Sequence, residues 1–306
     1  MNRFDAMSVL VRVVEAGSLS AASRRLGMPL ATVSRRVSEL EAHLKTRLLN
    51  RSSRQVSLTE AGRAYVVACK RILEQLEEAE RTAAGEYSLP RGELTLTAPV
   101  VFGRLHVLPI ALEFLEAHPD IELRLVLADR TVHLVEESVD AAIRIGALPD
   151  SGLIATRVGA IRRVVCGSPA YFKRRGTPRR PEQLRDHDCI TFEAMASPHA
   201  WSFPAGKKEK SVPVRSRLTV NTAEAAVDAA LAGVGVTRVL SYQVAEARRV
   251  GALEVVLESF EPAPWPIHLV HVGGGFLPLK LRAFLDWATP RLKERMRPDT
   301  ERFRIK

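Results

Sequence analysis

Three cysteines in 306 residues are too few for a disulfide framework, which excludes a small stapled secreted fold. Long apolar runs are also missing. The longest uncharged stretch, Pro262 to Leu279, carries four prolines and three glycines and makes a poor membrane span. The first seventeen residues place Asp5, Arg12 and Glu15 where a signal peptide needs an unbroken apolar core, so the expected compartment is the cytoplasm, with no membrane partner. No Gly-x-Ser-x-Gly, His-Glu-x-x-His or paired-cysteine metal spacing occurs. His268 and His271 stand three apart on a predicted strand, hence on opposite faces, which is a poor metal pair. GVGVTR, from Gly233, begins like a dinucleotide fingerprint but lacks the third glycine and follows a helix instead of opening one. No metal or cofactor is therefore expected. What remains is an ordinary globular composition, 46% hydrophobic and 26% charged, long enough for two or three domains.

The charge is uneven. Residues 1–71 hold eleven Arg and two Lys against five acids, whereas 72–84 set Arg81 against Glu74, Glu77, Glu78 and Glu80. Arginine binds phosphate bidentately, so an arginine-rich front suggests a polyanion partner, in the cytosol most often nucleic acid. A solvated basic face accounts equally for the charge taken alone.

Phe4, Met7, Val11 and Val14 recur at helical spacing, with Gly17 as a C-cap. Ser18 or Ser20 caps a short second helix with Ala22 and Leu26 inward. After the Gly27-Met28-Pro29 turn, Val33, Val37, Leu40 and Leu44 form one stripe of a third helix. Ala31, Thr32, Arg35 and Ser38 lie opposite it and Ser34 on its flank. Two helices joined by a glycine turn, the second small and polar outward, make a helix-turn-helix whose Arg35 can reach a guanine edge or a phosphate. A three-helix bundle with a solvent face has the same periodicity. Arg47, Arg51, Ser52, Ser53 and Arg54, then the alternating Gln55-Val56-Ser57-Leu58, fit a β-wing along the sugar–phosphate backbone.

GSLSAASRRLGMPLATVSRRVSELEAHLKTRLLNRSSRQVSLTEAG resembles the N-terminal signature of LysR-type transcriptional regulators, in order and at the family's spacing over residues 2–84. Many members have Ser-Gln-Pro-Ala where this chain has Pro29-Leu30-Ala31-Thr32, and a subgroup carries a similar Pro-x-x-Thr-Val-Ser-Arg-Arg. The resemblance implies DNA contacts from Ser20, Pro29, Leu30, Ala31, Thr32, Ser34, Arg35, Arg36, Arg51, Ser52 and Arg54.

From Thr59, the residues Gly62, Tyr65, Cys69, Ile72, Leu76, Ala79 and Ala83 fall at alternating spacings of three and four, a heptad seam. Packing against the domain's own core is one explanation. Self-pairing is the other, and the resemblance favours it, because the family's linker helix dimerises. Tyr65, Cys69, Ile72, Leu76 and Ala79 are then the dimerisation residues.

Beyond residues 85–91, read as a hinge, strands and helices alternate: strand 93–98, helix 104–117, strand 121–128, helix 131–138 and strand 140–145. That order predicts a mostly parallel sheet. Strands near 164–167 and 189–192, a helix over 222–232, a strand at 267–272 and a helix over 279–291 follow. LTLTAPVVFGRLHVLP, LADRTVHLVEESVDAAIRIG, VVCGSPAYF and GVGVTRVLSYQVA are similar to the family's effector domain. The whole is thus expected to be an α + α/β protein. It has a winged helix-turn-helix (1–58), a linker helix (59–84) and a two-lobed α/β effector domain (92–306) like type 2 periplasmic binding proteins. Lobe 1 covers about 92–163 plus 267–306 and lobe 2 about 164–266.

A ligand is expected at the carboxyl ends of the strands. The loop Thr97-Ala98-Pro99-Val100-Val101-Phe102-Gly103 opens a helix whose N–H groups favour an anion, and Asn221 caps the second-lobe helix with Glu224 as its capping-box partner. By resemblance Asp129, Arg144 and Phe192 also approach the effector, expected to be an organic anion. Arg144 can instead serve only as a salt-bridge partner of Asp129 or Asp140, and Asn221 only as a cap. Cys166 and Cys189 suit buried apolar roles better than a redox switch.

The expected function is a non-enzymatic, effector-controlled DNA-binding transcription regulator. Its partners are double-stranded promoter DNA, a small-molecule effector, further copies of itself as homodimer or homotetramer, and RNA polymerase. An enzyme localised by a DNA-binding module needs a catalytic constellation that the sequence lacks. A transporter's solute-binding component is opposed by the basic front.

Overall fold

The computed structural model describes residues 2–51, 56–83, 89–192, 199–206, 208–273 and 277–297. The chain parts into two compact units, one of residues 1–92 with 133–139 and 274–283, the other holding the remainder.

In the first unit, α1 (Arg3–Ala16), α2 (Leu19–Leu26) and α3 (Leu30–Leu44) are separated by glycines held in the left-handed region, Gly17 at φ 73° and Gly27 at φ 63°. Ser18 caps α2, its hydroxyl accepting from the Ala21 N–H at 3.1 Å, so the cap is Ser18 and not Ser20. Val33, Val37 and Leu40 of α3 are fully buried against Ala6, Val9, Leu10 and Ala22. β1 (Leu49–Arg51) pairs antiparallel with β2 (Val56–Leu58), forming the base of a wing. The wing is tied to the end of α3 by Glu41, whose Oε1 accepts the N–H groups of Leu48 and Leu49 at 2.9 and 3.0 Å. Thr59 then starts α4 (Glu60–Ala83): its hydroxyl accepts from the Gly62 N–H at 2.9 Å and donates to the Arg47 carbonyl at 2.8 Å.

Two mixed five-stranded sheets form the lobes of the other unit. Lobe 1 is ordered β4-β3-β5-β14-β6, from β3 (Gly92–Ala98), β4 (Ile121–Leu127), β5 (Ala141–Ile145), β6 (Leu153–Ile161) and β14 (Trp265–Val272). β3 runs parallel to β5, but β14 is antiparallel to both β5 and β6, so the expected mostly parallel sheet is mixed. Leu94, Leu96, Phe102, Ile110, Phe114 and Phe284 are buried in this lobe. The helix expected from Arg104 begins earlier: α5 (Val100–Phe102) runs through a π-turn at Gly103–Val107 into α6 (Leu108–Ala117). The helix expected over 131–138 is absent. One turn forms there, Glu137 N–H to His133 carbonyl at 2.9 Å, and ends where Ser138 takes φ 55° and the Val139 N–H closes on Leu134 at 2.8 Å.

Lobe 2 is ordered β11-β8-β12-β7-β13, from β7 (Arg163–Gly167), β8 (Asp188–Phe192), β11 (Arg215–Val220), β12 (Val236–Leu240) and β13 (Glu254–Val256). Beside them are α7 (Pro169–Arg175), α8 (Ala223–Leu231) and α9 (Ala245–Arg249). A hairpin of β9 (Ala200–Ala205) and β10 (Lys208–Pro213) buries Trp201, Phe203 and Val212 against one sheet face, with Tyr171 and Cys189. The other face carries Val164, Cys166 and Val239 against α8. α10 (Leu279–Arg295) follows β14. Among the described residues no single helix is long and apolar enough to cross a membrane.

Candidate functional site

The outward face of α3 is formed by residues that the buried stripe leaves over. Pro29, Leu30, Ala31 and Arg35 are exposed, Thr32, Ser34 and Arg36 are half-buried, and Ser20 is exposed on α2. Leu30 is 46% exposed, a large apolar side chain that the domain's own core does not use. Arg35 Nη1 lies 3.6 Å from Glu39 one turn on, leaving the guanidinium mostly in solvent, whereas Arg36 Nη1 turns back to within 3.9 Å of Asp5 on α1. Arg51 pairs with Val56 in the wing, and Ser52 and Arg54 fall outside the described residues.

The heptad seam of α4 divides. Cys69 is fully buried and Tyr65 half-buried in the core shared with α1, so the inner half of the expected dimerisation seam packs within its own unit. Burial raises the Cys69 thiol to about 11. Ile72 and Ala79 are exposed and Leu76 is half-buried, so the outer half remains open.

In the two-lobed unit, most of the polar groups expected to meet an anion already have partners. Thr97 is buried and donates its hydroxyl to the Val126 carbonyl at 2.8 Å. Arg144 Nη2 donates to the Val132 carbonyl at 2.7 Å. Asp129 Oδ1 accepts the Val100 N–H at 3.0 Å, so the helix N-terminus expected to favour a ligand anion already carries a carboxylate. Asn221 does not cap α8. Thr222 does, accepting from the Ala225 N–H at 3.2 Å, and Asn221 is exposed one residue earlier. Glu224, expected to complete a capping box, forms an ion pair with Arg104 at 3.2 Å, linking the lobes.

Two cavities share the loop after β3. The smaller, about 260 Å³, takes in Thr97, Ala98, Pro99, Asp129 and Arg144. The larger, about 440 Å³, lies between the lobes and joins Pro99, Asp129 and Phe192 to residues sequence reasoning missed: Arg163, Trp201, Arg238, Tyr242 and Trp265. That volume falls in the range of small-molecule sites. Phe102 is fully buried behind the loop, its ring 5.4 Å edge-on from that of Tyr242 in lobe 2. A Cβ on Gly103 would meet the Leu127 side chain at 2.2 Å, so glycine there lets the helix close onto β4. The missed aromatics had a legible signal: Trp201 and Phe203 alternate with Ser202 before the turn at Gly206, φ 63°.

Cys166 and Cys189 lie on opposite faces of the lobe 2 sheet with β12 between their strands, so they do not form a redox pair. Burial pushes both thiols up to about 12. Among the described residues no cluster of His, Cys, Asp or Glu is suited to a metal ion.

A helix-turn-helix with a wing, a long helix and a two-lobed α/β domain enclosing a cleft define the class of ligand-responsive DNA-binding proteins. Residues 4–63 match the bacterial regulatory helix-turn-helix protein, lysR family, and residues 88–293 the LysR substrate binding domain. The chain belongs to the LysR family of transcriptional regulators and carries that family's effector-binding domain. An HTH-type transcriptional regulator of Xanthomonas campestris pv. campestris is 36% identical over 93% of this chain and 84% of its own length. An HTH-type transcriptional repressor of Pseudomonas aeruginosa is 34% identical over 94% and 91%. Among solved structures, CrgA, a LysR-type transcriptional regulator from Neisseria meningitidis, superposes with a TM-score of 0.61 at 32% identity, covering 94% of this chain and 98% of its own.

Proposed function

We propose that this regulator reads duplex DNA with the outward face of α3, braces the backbone with its wing, and changes its grip when an organic acid fills the cleft between its lobes. The observation that carries the reading is the division of α3: Val33, Val37 and Leu40 are fully buried while Leu30, Ala31 and Arg35 are exposed beside a concentration of arginine. Phosphate contacts supply most of the affinity, with Ser20, Arg36, Arg51, Ser52 and Arg54 as contributors. Specificity comes from Pro29 to Arg35, where small side chains admit the helix to the major groove. Leu30, at the start of a Pro-x-x-Thr recognition helix, suits a thymine methyl where many members of the family present a polar side chain.

Two copies joined along Ile72, Leu76 and Ala79 read two half-sites, as a homodimer or as a homotetramer in which effector domains also pair. Pro99, Asp129 and Phe192 meet the effector. Thr97, Ala98, Val100, Phe102, Gly103, Arg144 and Asn221 shape the walls around it. An effector controls the protein only by preferring one arrangement of the lobes. The protein works in the cytoplasm, with RNA polymerase downstream and no catalytic step of its own.

The test is a gel-shift of the full chain on its own upstream DNA across a salt series. Arg35→Ala is expected to cost about 1–3 kcal/mol at one base position and relax discrimination there, and Arg54→Ala to weaken cognate and random duplex alike and lower the salt slope by about 1. Equal losses on both duplexes for both variants contradict the assigned roles.

A further inference from the structure

Among the described residues, Arg163 and Arg238 are two cations that share one neighbouring acid, Glu209, and form an ion pair with none. On the antiparallel strands β7 and β12, Leu240 stands opposite Arg163 and Val165 opposite Arg238, which makes the two arginines diagonal neighbours on one sheet face. Arg238 is only 6% exposed. Its Nη2, Arg163 Nε and Trp201 Nε1 are buried donors without a hydrogen-bond partner, and neither arginine has an ion-pair partner among the described residues. Each guanidinium rests on a ring instead, Arg238 5.0 Å from the centre of Phe203 and Arg163 4.3 Å from that of Trp265.

Burial of two like charges beside a single acid is expensive, and a ring face offsets only part of the cost. The consequence is visible at Arg238, where burial first and the neighbouring Arg163 second push the guanidinium down to about 10, with Glu209 offsetting only part of the effect. Both arginines line the larger cavity, whose walls include the rings of Phe192, Trp201, Tyr242 and Trp265. The acids that also line it, Asp129 and Glu209, oppose a second negative charge on a ligand. Two guanidinium groups without hydrogen-bond partners among the described residues, aromatic walls and two flanking carboxylates select a ligand with one carboxylate and a flat apolar body.

We propose that the cleft takes an aromatic monocarboxylate, anchored through its carboxylate on Arg163 and Arg238 with its ring against the aromatic walls. This rests on the reading of the cleft as the effector site. It moves the anion's anchor away from Thr97, whose hydroxyl is engaged, and from Arg144, which is held by the Val132 carbonyl through Nη2, and names the ligand class.

Calorimetric titration of the full chain with benzoate, benzamide, succinate and phenylalanine tests the proposal. Benzoate is expected to bind one per chain, with the other three at least tenfold weaker. Arg163→Gln and Arg238→Gln are each expected to lower benzoate affinity at least tenfold, about 1.4 kcal/mol. Because each removes a buried like charge, neither is expected to lower the melting temperature of the ligand-free protein. Arg185→Gln, an exposed arginine of the same lobe, leaves affinity within twofold. If Arg238→Gln does not fold, Arg238→Lys keeps the charge but loses the fork and still weakens benzoate.

Native benzoate affinity in both glutamine variants overturns the anchor, and tighter binding of benzamide, succinate or phenylalanine overturns the ligand class. Promoter retardation by a protein that binds none of the four defeats the inference while leaving the regulator reading intact. Failure to retard any promoter is the separate failure of that earlier reading.

Discussion

Gly62→Ala inverts the usual rule for glycine in a helix. In an exposed helix the substitution stabilises by about 1 kcal/mol, because alanine loses less backbone freedom on folding. At Gly62 a Cβ would stand 2.0 Å from the Leu48 carbonyl oxygen and 2.9 Å from its carbon. That oxygen cannot turn aside freely, since it accepts the Thr59 N–H at 3.0 Å and the Thr59 hydroxyl at 3.3 Å. The wing and the start of α4 must therefore separate, and overpacking of this kind costs about 1–3 kcal/mol. For a domain of this size each kcal/mol lowers the midpoint by about 4–8 °C. The three tryptophans, Trp201, Trp265 and Trp287, all lie in the other unit, so calorimetry or amide exchange over α1 to α4 is the suitable assay and tryptophan fluorescence is not. A Gly62→Ala protein whose N-terminal transition sits at or above the native temperature refutes the reasoning. Promoter affinity is expected to fall with stability, because the same movement displaces the wing.

Glu41→Ala leaves the N–H groups of Leu48 and Leu49 without their acceptor and is expected to cost about 1–3 kcal/mol in the same transition. Glu41→Gln keeps an acceptor oxygen and should recover most of that loss, whereas a glutamine variant as unstable as alanine points to charge and not geometry. Cys166 and Cys189 are expected to resist a thiol reagent at pH 8 in the native protein and to react promptly once it is denatured. Their folded values near 12 lie above the ordinary 9.0, so the neutral thiols stabilise the fold fully below pH 9 and that contribution is lost as pH climbs towards 12. Alkaline melting without a decline over that interval contradicts the burial assigned to them.

Local periodicity made the first unit readable. The offsets of Val33, Val37 and Leu40 define a face, and the glycines at 17 and 27 mark turns that need a left-handed residue. Long-range packing was not readable in the same way. Residues 131–138 read as a helix, but Val132, Leu134 and Val139 are buried around a single turn that Ser138 ends. Asn221 and Thr222 are both competent caps, and only the path of the chain into α8 selects the second. Arg163 and Arg238 are 75 residues apart in the sequence, and they become neighbours only through the register of β7 and β12. The anion site expected at Thr97 and Arg144 rested on residue type, but type does not reveal that each side chain already donates to a main-chain carbonyl.

The chain passes between its lobes twice, from β6 into β7 at Arg162 and back from β13 to β14 along residues 257–264. These passages are fastened to each other, for Arg162 Nη1 reaches both oxygens of Glu261 at 3.2 and 3.1 Å. Arg163 and Trp265 stand immediately beside the fastening, one on each passage. An anion held by Arg163 would therefore lie beside the place where both passages are tied together, in reach of both lobes close to where they join.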